Sequence, residues 1–186
     1  MRIHLKIMAD NVIIPYNHQP MLTGVIHKWL GWNKEHGDVS LYSFSRLENA
    51  KAIKNGLKIE KGTYFFFSSC DNNLIKSMIT GIQKDPSIFH GLKVCEIIIQ
   101  EEPDLSNREL FFCSSPIFIK RKNNDKIEHI LYMDSRAKDC LRETLLTRMK
   151  KAGITDNEFE VYFDSSYLKA STKLIDYNGI KNTYSK

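Results

Sequence analysis

The stretch IPYNHQPMLTGVIHKWLGWNKEHGDVSLYSFSRL, residues 14–47, organises the rest of this chain. It predicts a turn, a helix, a glycine-punctuated loop and then a strand. Pro20 stands where the first helical residue is expected, a position that tolerates the missing N–H. After it, apolar residues recur at spacings of one and three, which is typical of a single helix stripe. The stripe consists of Met21, Leu22, Val25, Ile26, Trp29 and Leu30.

Two histidines flank the end of this helix. At about 100° per residue, His27 points roughly 150° away from the middle of the apolar stripe. His36 lies in the loop between Gly31 and Gly37, which are expected to break the helix. We therefore expect two exposed imidazoles on either side of one turn. The alternative is two ordinary surface histidines without a joint role.

The segments on either side complete a recognisable order of elements. Alternating or apolar runs predict strands at residues 2–9, 39–46, 63–69 and 94–99, and 49–61 is a polar, hairpin-like excursion. A second helix, capped by Asp71, is expected to end at Pro86. Strand, helix, strand, strand, helix, strand is the order of the ferredoxin-like fold. We assign it to a first domain, residues 1–101.

A second block follows a charged connector at residues 100–109. Strands are predicted at 110–120 and 126–133, and a helix capped by Asp134 or Ser135 is expected to end at Gly153. Two further alternating strands are predicted at 159–163 and 167–174. This block, residues 110–186, repeats the element order of the first block incompletely. The predicted class is therefore α+β with two tandem ferredoxin-like (RRM-like, βαββαβ) domains, the second incomplete at its C-terminus.

The composition is that of an ordinary soluble protein, with 186 residues, 42% hydrophobic and 26% charged. No apolar run reaches the ~18 residues of a membrane span, and the N-terminus is unlike a signal peptide. The cysteines (Cys70, Cys95, Cys113 and Cys140) are widely spaced, which favours buried free thiols in a reducing cytoplasm. No zinc, P-loop or dinucleotide motif occurs, so neither a metal nor a cofactor is predicted.

The basic excess is concentrated in one segment. Residues 120–151 contain ten Lys and Arg against five acidic residues, an excess of +5 that equals the net charge of the whole chain. Such a segment suits a polyanion such as RNA, or equally a solvated helix face with ion pairs. The candidate RNA-binding residues are Lys120, Arg121, Lys122, Arg136, Arg142 and Arg148.

Metal-free RNA cleavage needs a base for the ribose 2′-OH, an acid for the departing 5′-oxygen and a donor or cation for the phosphorane. Histidine can perform either proton transfer because its ordinary pKa of ~6.5 lies near working pH. His27 and His36 are the candidates. His4 is expected at the surface, and His90 and His129 are expected to be structural. Trp29 is expected in the core; Trp32 could stack on a base, but the core is the expectation.

Four segments resemble the CRISPR-associated endoribonucleases that process precursor CRISPR RNA, members of the RAMP superfamily. They are IPYNHQPMLTGVIHKWL (14–30), SLYSFSRL (40–47), KGTYFFFSSC (61–70) and SSPIFIKRK (114–122). The resemblance implies two tandem ferredoxin-like domains and a metal-independent cut that leaves a 2′,3′-cyclic phosphate and a 5′-hydroxyl. It places the catalytic histidine at His36 and its partner at His27. The family's lysine position falls on Ser40, and Lys34 is the nearest substitute.

The resemblance also implies partners. It predicts CRISPR repeat RNA as the ligand, no membrane association, and possible contacts with effector-complex subunits or a second copy of the chain. The family usually ends with a helix and a glycine-rich RNA-binding loop, and no such loop follows Gly179. The second domain is therefore expected to be truncated. A catalytically inactive repeat-RNA binder and a scaffold subunit of an effector complex remain the alternatives.

Overall fold

The computed structural model describes residues 1–8, 11–32, 39–113, 117–123, 126–156, 158–177 and 180–185. The chain divides into two units, Met1–Leu110 and Phe111–Lys186. The predicted α+β class is confirmed, with three helices and only antiparallel strand pairs in the described ranges. None of those helices is long and apolar enough to cross a bilayer.

The first unit is built around a four-stranded antiparallel sheet with the order β3-β6-β1-β7. Two helices alternate with its strands along the chain, in the predicted ferredoxin-like order. Its elements are β1 (Arg2–Met8), β2 (Ile13–Ile14), α1 (Gln19–Leu30), β3 (Tyr42–Phe44), β4 (Lys51–Ile53), β5 (Gly56–Lys58), β6 (Tyr64–Ser69), α2 (Asn72–Lys84) and β7 (Lys93–Gln100).

The core of this unit lies between the sheet and the two helices. In β1 the alternation predicted from sequence holds, because Ile3, Leu5 and Ile7 are all buried. Phe65 and Phe67 on β6 join the same cluster. The helices contribute Leu22, Val25, Ile26, Trp29 and Leu30 from α1 and Leu74, Ile75, Met78 and Ile82 from α2. Burial of this apolar surface is the main stabilising term of the fold.

The helix ends follow the sequence signals closely. α1 begins at Gln19, one residue before the predicted start, so Pro20 lies inside the first turn. Gly31 then leaves the helix with φ 64°, and its N–H donates to the carbonyl of His27 at 3.0 Å. Asp71 caps α2 as predicted, since its carboxylate accepts from the N–H of Asn73 at 2.8 Å.

The polar excursion at residues 49–61 forms a small second sheet, with the order β2-β5-β4. His18, 3% exposed, connects this region to the start of α1. Its Nδ1 lies 3.1 Å from the carbonyl oxygen of Tyr16, and its Nε2 accepts from the N–H of Leu47 at 3.5 Å. The side chain at the helix start thus holds the turn that precedes α1.

The second unit contains two hairpins and one helix. Its elements are β8 (Ile119–Asn123), β9 (Lys126–Ile130), α3 (Ala137–Lys151), β10 (Thr172–Tyr177) and β11 (Ile180–Ser185). The order strand, strand, helix, strand, strand was predicted, but several positions were wrong. α3 is preceded by Arg136 rather than capped by Asp134 or Ser135. Its end is as predicted, because Gly153 follows the C-cap residue with φ 76° and its N–H donates to the carbonyl of Lys150 at 3.1 Å.

The largest corrections concern the strands of this unit. Among the described residues of the segment predicted as a strand from residue 110, regular strand structure begins at Ile119, and Phe111 and Phe112 are exposed. Residues 159–163 form no strand, and the last hairpin lies at 172–185 instead. In that hairpin Tyr177 faces Ile180 across the dipeptide at 178–179, which reads Asn-Gly in sequence. The Asn-Gly dipeptide is a strong signal for a hairpin at this position. Residues 159–163 show only alternation, which does not indicate a partner strand.

The cysteines are free thiols, as expected, but only Cys140 is buried. Cys95 is exposed because β7 carries a bulge against β1, where Lys6 faces Glu96 and Ile7 faces Val94. Cys95 is the extra residue of this bulge. Cys70, directly after β6, and Cys113, in the second unit, are also exposed.

Candidate functional site

His27 lies on the last turn of α1 and contacts the edge strand β3. Its Nε2 lies 3.1 Å from the hydroxyl oxygen of Tyr42, fifteen residues further along the chain. Both side chains are half-buried. The expectation of an exposed His27 is therefore wrong, because its ring meets the Tyr42 side chain of β3.

Tyr42 itself is held by the sheet. Its ring stacks on the fully buried ring of Phe67, with centroids 5.2 Å apart and an interplanar angle of 26°. In the strand register it faces Ser69, whose hydroxyl donates to the carbonyl of Leu41 at 2.9 Å. Sequence reasoning assigned Tyr42 only to a pleated strand. Its contact with His27 depends on how β3 docks beside α1, which no local pattern encodes.

His36 and Lys34 lie in residues 33–38, outside the described residues. What the structure describes is where that segment begins and ends: after Trp32 at the end of α1, and before Val39 ahead of β3. These are the two elements that hold His27 and Tyr42. The pairing of His36 with His27, and the role of Lys34, stay predictions.

Trp32 is 90% exposed, so its expected place in the core is wrong. Continued helical periodicity would have put it near Trp29, which is buried as predicted. Gly31 instead turns the chain with φ 64° and ends the helix before position 32. An exposed indole four residues before His36 in the sequence is suited to stack on an unpaired base.

His4 and His129 each contact a neighbouring element, whereas His90 lies at an exposed turn. Nε2 of His4 lies 2.9 Å from the side-chain oxygen of Gln100. Nδ1 of His129 accepts from the N–H of Thr183 at 3.2 Å, in keeping with a structural role. His90 is exposed with φ 50°, at a turn before β7.

Three of the six candidate RNA-binding residues make strong contacts inside the second unit. Arg136 binds both carboxylate oxygens of Glu128, at 2.9 and 2.7 Å, and also the carboxylate of Asp134. Its guanidinium lowers the pKa of Asp134 from 3.8 to about 2 and also lowers the pKa of Glu128. Arg136 therefore belongs to an ion-paired surface, which was the alternative to a phosphate-binding role.

Arg121 and Arg142 are similarly engaged. Arg121 donates to the carboxylate of Glu143 at 2.8 Å and to the carbonyl of Cys140 at 2.9 Å. Arg142 donates to the carbonyl of Phe159 at 3.3 Å, with its guanidinium 5.8 Å from that ring's centroid. Lys120, Lys122 and Arg148 are exposed. Arg121, Arg136 and Arg142 would have to exchange these contacts in order to bind an external phosphate.

A cleft of about 480 Å³ runs between α1 and α2. Lys28, Lys76 and Lys84 contribute to its walls, but Lys28 is bound to the carboxylate of Asp85 at 2.9 Å. Neither His27 nor Tyr42 lines it, so this cleft is separate from the candidate site. In the described parts of the chain, no three His, Cys, Asp or Glu side chains converge where a metal ion could bind.

The fold of this chain is that of the Cas6 and RAMP proteins. A solved structure titled "CRISPR associated protein Cas6" matches 100% of this chain and 84% of its own, with a TM-score of 0.80 and 23% identity. A Cas6-related protein from Pyrococcus furiosus matches over the same shares, with a TM-score of 0.82 and 23% identity. A RAMP protein described as binding different RNA substrates covers 100% and 85%, with a TM-score of 0.75 and 23% identity.

No protein-family model and no curated protein matches the sequence. The three structural matches confirm the fold that the resemblance predicted.

Proposed function

We propose that this protein binds precursor CRISPR RNA and cleaves it within its repeats. The observation that carries the proposal is the position of His27, fixed on the last turn of α1 nine residues before His36 in the sequence, within a fold shared with Cas6 and RAMP proteins. One of those neighbours is described as an RNA-binding protein. Fold alone does not define chemistry, so the residues of the site must supply it.

His36 and His27 would divide the two proton transfers of the reaction. One imidazole removes the proton of the ribose 2′-OH, and the 2′-oxygen attacks the adjacent phosphorus. The bond from phosphorus to the 5′-oxygen then breaks, and the second ring protonates that leaving oxygen. The products are a 2′,3′-cyclic phosphate and a 5′-hydroxyl. Lys34, two residues before His36 in the sequence, could stabilise the charge on the phosphorane.

The RNA backbone would be held by the exposed members of the basic segment. Lys120 and Arg148 are the strongest candidates because they are exposed and cationic, and Lys122 lies on the same strand as Lys120. Arg121, Arg136 and Arg142 already hold carboxylates or carbonyls of the second unit. Trp32 would stack on an unpaired base beside the cut.

Single-turnover cleavage of repeat RNA in the presence of EDTA tests the proposal. We expect the wild-type chain to cut under these conditions, and His36→Ala and His27→Ala to lose roughly 10²- to 10⁴-fold in rate. His90→Asn is the matched control, because asparagine accepts the positive φ at that position and the residue lies outside the site.

Three results would contradict the proposal. Cleavage that EDTA abolishes would exclude the metal-free mechanism. Tight RNA binding without any cutting would identify an RNA-binding module instead. Association with effector-complex subunits without affinity for RNA would identify a scaffold subunit.

A further inference from the structure

We propose that Arg136 is a phosphate-binding residue whose guanidinium is occupied by Glu128 until the RNA backbone displaces that carboxylate. Glu128 then acts as an internal competitor of the RNA and lowers its affinity. The proposal rests on the RNA-binding part of the proposed function and goes beyond it, because neither the sequence resemblance nor the basic composition of residues 120–151 assigns a role to Glu128.

Two carboxylates divide the edges of the Arg136 guanidinium between them. Its Nε and one terminal nitrogen donate to the carboxylate of Asp134, at 3.0 and 2.7 Å. The edge formed by both terminal nitrogens donates to the two oxygens of Glu128, at 2.9 and 2.7 Å. This second arrangement is the fork geometry in which arginine binds either a carboxylate or a phosphate. Glu128 therefore occupies the edge at which an RNA phosphate would bind.

Asp134 holds the guanidinium in place independently of Glu128. Its carboxylate also accepts from the backbone N–H of Arg136 at 2.9 Å, and its own N–H donates to the carbonyl of Leu131 at 2.9 Å. Because these hydrogen bonds are local to the turn before α3, Arg136 keeps its orientation when Glu128 leaves. An arginine that is oriented in advance loses less side-chain entropy when it binds a phosphate.

The local charge explains why Glu128 weakens RNA binding. One guanidinium faces two carboxylates, and both are ionised at neutral pH, because the hydrogen bonds from Arg136 lower the pKa of Asp134 to about 2 and also lower the pKa of Glu128. These three side chains together carry one net negative charge, although they belong to a basic segment. Removal of the Glu128 charge therefore removes a repulsion and opens the fork in the same step.

The exchange of Glu128 for a phosphate leaves no charge stranded in the interior. The side chains of Arg136 and Glu128 are 50% and 41% exposed, so the released carboxylate returns to water. Exposed ion pairs contribute little net stability, whereas a phosphate contact also releases counterions from the RNA. The balance of the exchange therefore favours the RNA wherever its backbone reaches Arg136.

A double-mutant cycle on RNA affinity tests the proposal. Affinities are measured by titration of the full chain with fully 2′-O-methylated repeat RNA, which has no free 2′-OH and so cannot be cut. Glu128→Gln should bind roughly 2- to 5-fold more tightly, the scale on which exposed ion pairs contribute, and should steepen the salt slope by about 0.7. In an Arg136→Gln background the same substitution should change neither quantity. Glu158→Gln is the matched control, because it removes the same charge from an exposed position of the same unit.

Arg136→Lys supplies a second background, since lysine keeps the charge but lacks the planar fork. The gain from Glu128→Gln should be smaller there than in the wild-type chain, and an equal gain would contradict the role of the fork. A gain that persists in Arg136→Gln, or that Glu158→Gln reproduces, would overturn the proposal, because either result shows a general effect of charge.

The cycle and the cleavage assay fail separately. If the wild-type chain binds the methylated RNA but does not cut unmodified repeat RNA, the cleavage part of the proposed function fails, while the cycle still decides the role of Arg136. If Glu128→Gln gains no affinity over the wild-type chain, the phosphate-binding role of Arg136 fails whatever the cleavage assay shows.

Discussion

Gly81 of α2 lies against the backbone of Trp29 in α1, so closely that a Cβ at position 81 would stand 2.1 Å from the Trp29 carbonyl oxygen and 2.6 Å from its Cα. The indole of Trp29 reinforces the contact, since its N–H donates to the carbonyl of Asp85 at 2.6 Å. The two helices of the first unit therefore meet at a point where only hydrogen fits. The same contact holds the last turn of α1, which also carries His27.

Gly81→Ala should destabilise the first unit by about 1–3 kcal/mol, because backbone atoms cannot yield to the added methyl group without moving one helix. The matched control is Gly24→Ala in α1, where an added Cβ meets nothing within 4 Å. There the better helix propensity of alanine should stabilise the chain by up to about 1 kcal/mol. Chemical denaturation of both variants measures the difference. A Gly81→Ala protein as stable as the Gly24→Ala protein would contradict this prediction, because it would show that α1 and α2 can move apart without loss of stability.

The pKa of Asp134 makes the second unit sensitive to acid. Arg136 donates to this carboxylate and lowers its pKa from 3.8 to about 2, so the folded state binds the proton less readily than the unfolded state. The resulting stabilisation is complete above about pH 4 and is lost as the pH falls towards 2. Asp134→Asn should flatten the dependence of the unfolding midpoint on pH in that window. Glu109→Gln, in the connecting segment, is the control and should leave the dependence in place.

The exposed lysines of β8 should determine the salt dependence of RNA binding. Each phosphate contact to single-stranded RNA contributes a slope of about −0.7 to log K against log salt. Lys120→Ala/Lys122→Ala should therefore reduce the magnitude of that slope by about 1.4. Lys54→Ala/Lys61→Ala removes the same charge from exposed positions of the first unit. Equal changes in the two double variants, measured by titration at several salt concentrations, would argue against a specific role for β8.

Trp32 should contribute to RNA affinity without contributing to stability. Replacing a base-stacking aromatic residue by alanine costs about 1–3 kcal/mol, which corresponds to roughly 5- to 150-fold in affinity. Because the side chain is 90% exposed, Trp32→Ala should leave the melting temperature unchanged. Trp32→Tyr keeps an aromatic face and should retain most of the affinity. Binding unaffected by Trp32→Ala would place the RNA elsewhere on the surface.

Much of the first unit follows from local patterns. Alternation in β1, the apolar stripe of α1 and the Asp71 cap of α2 each act over a few residues, and each was predicted correctly. The second unit was harder because its strands depend on partners. The alternating residues 159–163 look like a strand yet form none, while the hairpin around the Asn-Gly dipeptide was assigned to the wrong residues.

For the candidate site, the sequence by itself determined that a histidine lies on the end of α1, off the apolar stripe, because helical periodicity fixes that angle. Only the tertiary structure decided what this histidine meets. The edge strand β3 docks beside α1 and brings the Tyr42 hydroxyl to its Nε2, fifteen residues away in the chain. Likewise, Arg136 became an ion-paired residue rather than an open phosphate ligand because β9 places Glu128 beside the start of α3. Periodicity is a property of neighbouring residues, whereas these contacts arise from the packing of whole elements.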